Sequence, residues 1–243
     1  NDGILKGLAS QTLNAGSLTN NGMVLSSGDL TATLGNNLTN TQTIKSGGDL
    51  ALYVTNKLQN NEGSIKGDTG LKIQKNEAGD KTQIVENISG TIQAGNDDNA
   101  EADLVIRANT LINRKKTFEI DTRTDAGESS NITYEVQYVK TDSDAARILA
   151  ERDITLYGGD ITNSQSQIHA NRNLDIAEGN FTNETAELTT TKKTTTRHTS
   201  YWKNCKWYGS CESGTDVWYT TSYELQADQT QTVYGTLSAR NTL

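Results

Sequence analysis

The chain has 243 residues, enough for one or two domains, yet only 33% of them are hydrophobic. That share is low for a compact globule, while the lack of any proline argues against a disordered linker. A net charge of −8 gives nucleic acid no basic face, and no run of 18 apolar residues supplies a transmembrane helix.

The first elements are repeats. Residues 17–36, SLTNNGMVLSSGDLTATLGN, align with residues 37–56, NLTNTQTIKSGGDLALYVTN. Leu18, Leu38 and Leu58 are 20 apart, as are Val24 and Ile44, Leu30 and Leu50, and Leu34 and Val54. Further along, Ile148 and Ile168, Ile154 and Leu174, and Ile161 and Phe181 keep the same spacing. Within each repeat the apolar residues alternate over four to six positions, which indicates short strands, and Gly-Asp steps punctuate the turns. No segment sustains a helical period. Short strands and turns repeated at 20 residues fit an all-β fold with a thin core. The expected fold is a right-handed parallel β-helix of about 20-residue coils, stacked at about 4.8 Å.

An apolar residue followed two positions later by Asn marks each repeat: Asn20, Asn40, Asn60, Asn87, Asn113, Asn163 and Asn183. Stacked coils would bring these amides together as a structural ladder, bonding from copy to copy. Turn chemistry explains them better than ligand binding. The Gly-Asp turns lack the nine-residue period of calcium-binding β-rolls, so no metal is expected.

The longer gaps between Asn copies read as insertions. Residues 114–147 hold TFEIDTR, a polar stretch TDAGESS, and NITYEVQYV, which predict a β-hairpin. The alternation suggests Phe118 opposite Tyr138, Ile120 opposite Val136 and Thr122 opposite Tyr134. A second insertion, residues 184–232, opens with a Thr-rich strand and reaches YWKNCKWYGSCESGTDVWYTTSY, residues 201–223. Both leave the repeat after its Asn and are expected to emerge as extruded hairpins on the same side, so that residues 1–243 form one β-helical fragment. The second tip falls near Lys206–Ser210. Cys205 and Cys211 flank it and are the only cysteines; their spacing suits a structural disulfide rather than a redox or zinc motif.

Residues 201–223 hold all three tryptophans of the chain. In strands, alternate side chains point to opposite faces, so some rings pack across the hairpin and others face outward. Candidate contact residues are Tyr201, Trp202, Trp207, Tyr208, Trp218 and Tyr219, with Tyr134 and Tyr138 from the first hairpin. Trp207 and Tyr208, at the tip, have the least scaffold to pack on. For catalysis the sequence gives little: Asp29, Asp49, Asp153 and Asp160 sit at turns, and His169 and His198 are isolated. No phosphate loop, HExxH or nucleophile elbow occurs, so neither an enzyme nor a cofactor is expected. The pattern starts and stops in mid-repeat, as in a fragment of a longer protein.

The stretches LTNNGMVLSSGDLTATLGNNLTNTQTI and DITNSQSQIHANRNLDIAEGNFTN resemble the haemagglutinin-type repeats of filamentous haemagglutinin and of CdiA effectors of contact-dependent growth inhibition. The likeness covers roughly residues 1–113 and 148–183. It implies a two-partner-secretion exoprotein, exported through an Omp85-type outer-membrane partner and displayed on a Gram-negative cell surface. In CdiA effectors a central stretch of the filament binds the outer membrane of a target cell, and a C-terminal toxin is delivered. The two insertions suit such a receptor-binding segment, with an outer-membrane protein or surface glycan as partner and no membrane insertion by this fragment. A purely structural shaft of a haemagglutinin-like adhesin is the alternative.

Overall fold

The computed structural model describes residues 1–96 and 101–240. Of the closing SARNTL, residues 241–243 lie outside the described residues. The described residues are all-β, with one 3-10 turn at Ala227–Gln229. The chain divides into two compact units. One comprises Asn1–Phe118, Asp142–Ala186 and Val233–Leu243; the other comprises Glu119–Thr141 and Glu187–Thr232.

The first unit is built from long parallel sheets and is β-helix-like. Eight short strands form one sheet, in the order Ile4–Gly7, Met23–Ser26, Thr43–Ser46, Ser64–Gly67, Thr91–Ala94, Arg147–Ala150, Gln167–Ala170 and Thr236–Ala239. The register sets like residues on like. Val24 faces Ile44, then Ile65, Ile92, Ile148, Ile168 and Leu237 follow in line. In the larger sheet Leu30, Leu50, Leu71, Leu104, Ile154 and Leu174 make a second column. A third runs Leu18, Leu38, Leu58, Val85, Leu111, Ile161 and Phe181.

These columns exist because side chains alternate along a strand. In Ser64–Gly67, Ile65 is buried while Ser64 and Lys66 are only half covered. Ile44, Leu50, Leu58, Ile65 and Ile92 are almost wholly shielded from water. Each contributes about 1.5–3 kcal/mol by burial. The core is therefore narrow but continuous, which is how a chain of low hydrophobic content sustains regular structure.

Spacings longer than 20 do not disturb the stack. Between Asn60 and Asn87 the extra residues close into a local turn, where Lys75 N–H donates to Asp80 O at 2.8 Å and Asn76 Nδ2 to Asp80 Oδ2 at 2.8 Å. Gly79, at φ 90°, takes the left-handed backbone that turn needs. Beyond it the register resumes, with Val85 opposite Leu58 and Asn87 opposite Asn60.

The second unit holds all but the end residues Phe118 and Asp142 of a four-stranded sheet in the order Phe118–Ala126, Ile132–Asp142, Thr190–Cys205 and Cys211–Leu225. The expected register of its first hairpin is corrected. Ser143 N–H donates to Thr117 O at 3.0 Å and Thr141 Oγ1 to Glu119 Oε2 at 3.0 Å, so Phe118 cannot oppose Tyr138. By the same shift, Ile120 does not oppose Val136 and Thr122 does not oppose Tyr134. The cause lies in the turn. Gly127 N–H donates to Ile132 O at 3.0 Å, so the loop starts after Gly127, and Thr124–Ala126 belong to the strand rather than to the turn. The two hairpins also pair with each other. Ile132 faces Thr194, Tyr134 faces Lys192 and Val136 faces Thr190, antiparallel.

Candidate binding site

Two constellations merit a functional reading: the asparagine column and the aromatic hairpin. In the column, Nδ2 of Asn20 donates to Oδ1 of Asn40 at 2.7 Å, and Asn40, Asn60, Asn87, Asn113 and Asn163 each donate to the next at 2.8 Å, ending on Asn183. Asn1 adds a rung that the motif did not reveal, donating to Asn20 at 2.8 Å. Each amide also reaches main-chain carbonyls, as Asn60 does with Gly63 O at 2.9 Å. Asn20 through Asn163 are completely buried. Their hydrogen-bonding capacity is spent inside the fold, so the column holds the stack together and offers a ligand nothing.

The corner carrying the column is tight. Two residues after the ladder asparagine, Glu62, Ser89 and Gln165 adopt positive φ of 59°, 48° and 43°. Next come Gly63 and Gly90. A Cβ on Gly63 would lie 2.4 Å from Asn40 Nδ2, and one on Gly90 2.4 Å from Asn60 Nδ2. Sequence reading missed these two glycines, although Asn-x-x-Gly at 60–63 and 87–90 was visible.

The long hairpin pairs in unbroken antiparallel register from Thr191 opposite Leu225 to Cys205 opposite Cys211. Cys205 and Cys211 are disulfide-bonded. Beyond them, Lys206 N–H donates to Ser210 O at 2.7 Å and Gly209 N–H to Lys206 O at 3.0 Å, closing the tip. Trp207 stands on this turn 97% exposed. Tyr208 is exposed beside it, and the two rings meet edge-to-face at 5.9 Å.

The other candidates divide between the two faces of the sheet, because directly opposed residues share a face and neighbours do not. On one face Trp202 lies over Gly214, whose missing side chain makes room for the indole. Trp218 stacks on His198 at 5.4 Å, and His198 Nε2 is 2.7 Å from Thr220 Oγ1. Tyr134 shares that face through the Lys192 pairing and donates its hydroxyl to Glu128 at 2.8 Å. That bond pushes the Tyr134 pKa above its ordinary value. Tyr138 follows Tyr134 by alternation and is half-buried, with the Arg123 guanidinium 5.7 Å from its ring.

The opposite face carries Tyr201 and Tyr219, joined by Val217, Tyr223 and Leu225, all exposed. The last three were not singled out from sequence; their two-residue spacing was the available signal. The eight candidate rings thus form no single patch. They make a tip and two faces. Among the described residues, no group of three or more His, Cys, Asp or Glu side chains could hold a metal ion. Comparison with protein-family models, with curated proteins and with solved structures gives no match.

Proposed function

We propose that this chain is a receptor-binding or adhesive segment of a bacterial surface filament, of the contact-dependent growth inhibition kind. It carries no catalytic role in this reading. The parallel strands serve as a scaffold, wound as a right-handed β-helix of about 20-residue coils, and the hairpins recognise an outer-membrane protein or surface glycan of a target cell. The full-length protein would reach the surface of a Gram-negative cell through an Omp85-type partner. The observation that carries the reading is Trp207, 97% exposed on a turn closed by a disulfide. A large ring held in water on a fixed backbone has already lost much of the entropy that binding would otherwise cost. Trp and Tyr are also the side chains that most often anchor interfaces. A purely structural shaft gives no account of that exposure.

The test is saturable binding of the labelled chain to intact Gram-negative cells. Trp207→Ala with Tyr208→Ala is expected to weaken binding by tenfold or more, about 1.4 kcal/mol. The circular dichroism spectrum should stay unchanged. Equal binding by the folded double mutant would sink the proposal, and absence of binding by wild type to every cell tested would favour the shaft.

A further inference from the structure

The strand Cys211–Leu225 ends the four-stranded sheet, and no described strand pairs with its outer edge. Open edges template pairing with other chains, so proteins blunt them with short strands, bulges, prolines or charges. The other edge of this sheet, Phe118–Ala126, follows that rule with Glu119, Asp121, Arg123 and Asp125. Cys211–Leu225 is less protected: it runs 15 residues without Lys, Arg or Pro, its only charges are Glu212, Asp216 and Glu224, and its register against Thr190–Cys205 contains no bulge.

The outward row of main-chain groups can be identified. Gln226 N–H donates to Thr190 O at 2.8 Å, and Lys206 N–H to Ser210 O at 2.7 Å. In an antiparallel ladder the bonded pairs recur at every second residue. Trp218, Thr220 and Ser222 therefore bond inward, while Val217, Tyr219, Thr221 and Tyr223 turn their N–H and C=O groups outward. These outward residues are β-branched or aromatic, the types that favour strand pairing.

We propose that this edge captures an extended segment of a partner protein by main-chain pairing, and that the segment carries Lys or Arg four residues apart. The charges on the edge specify the occupant. On the inner side Lys192 stands opposite Glu224, but Ser200 stands opposite Asp216 and Asn204 opposite Glu212. Glu212 and Asp216 share one face, four residues apart, and each lacks a cation across the ladder. A basic strand on the outer side supplies both, and opposite charges across a sheet are favourable. A second copy of this edge would bring only further carboxylates. The inference rests on the open edge and goes beyond the reading of the Trp207 tip.

The experiment uses the intact chain and two synthetic peptides of alternating Thr and Val, one with lysines four residues apart and one with glutamates there instead. Binding is read by fluorescence anisotropy at low salt, and amide hydrogen exchange by NMR. The lysine peptide is expected to bind and to slow exchange at Val217, Tyr219 and Thr221, leaving the already bonded Trp218 and Thr220 unchanged. Thr221→Pro removes one outward N–H and no ladder bond. It should weaken binding by about tenfold, the fold-change for one lost main-chain bond that leaves its partner unsatisfied. Glu212→Lys with Asp216→Lys should reverse the peptide preference, and this pair decides the matter if Thr221→Pro perturbs the hairpin. Equal binding of both peptides, or unchanged exchange along the edge, overturns the proposal. Sedimentation showing a dimer that Thr221→Pro abolishes would assign the edge to a second copy and overturn the choice of partner. Because Trp207 and Tyr208 are intact throughout, failure here is distinct from failure of the cell-binding reading.

Discussion

Single residues decide the ladder corner. Asn60 accepts from Asn40 and donates to Asn87, so Asn60→Ala leaves a buried amide donor and a buried oxygen short of partners. Each orphaned group costs about 1–3 kcal/mol, so urea unfolding should show a lower midpoint and an unfolding free energy smaller by about 2–6 kcal/mol. Gly90→Ala should destabilise by overpacking, about 1–3 kcal/mol, because its Cβ would press on the Asn60 amide and lie 2.8 Å from Gly63 O. Acid should act through Glu86. Burial alone raises its pKa, but hydrogen bonds from Lys57 and Arg114 outweigh that and hold it below the ordinary glutamate value. A lowered folded pKa means that the ionised form stabilises the fold above the ordinary carboxylate range. That contribution is lost as pH falls through the folded value. Glu86→Gln should therefore flatten the acid limb of a stability profile measured by denaturant titration between neutral pH and the acid range.

At the scale of elements, the disulfide belongs to the hairpin alone. Cys205→Ser with Cys211→Ser should cost roughly 2 kcal/mol by the chain-entropy account of so short a loop. Hydrogen exchange should speed up around Lys206–Ser210, while the strands carrying Ile44 and Ile65 keep their protection. How much of these elements the sequence disclosed follows from the range of the interactions. The columns were legible because one residue recurs at one spacing, as Leu18, Leu38 and Leu58 do, and parallel register then follows. The asparagine positions were legible for the same reason, and so was the Cys205–Cys211 bridge. The register of the first hairpin was not, because it depends on whether Thr124–Ala126 turn or extend, and both suit their composition. The pairing of Ile132–Val136 with Thr190–Thr194 was also hidden. It joins segments far apart in sequence that share no repeat. Sorting the aromatic rings onto faces needed that register first.

At the scale of the molecule, one chain combines two ways of building a sheet. The first unit uses parallel pairing at long sequence separation with like residues stacked, while the hairpins use antiparallel neighbours. Stacked arrays gain stability chiefly from nearest-neighbour interfaces. Because Asn20, Asn40 and Asn60 are equivalent rungs, the gene can gain or lose a whole repeat without leaving a gap in the column. Excision of residues 37–56 would seat Asn20 against Asn60, and Val24 against Ile65. The shortened protein should fold and unfold in one transition at a lower urea midpoint, whereas removal of ten residues should abolish folding. Repeat number is then free to drift by unequal recombination, and a lineage can alter the number of its parallel strands without breaking the asparagine column.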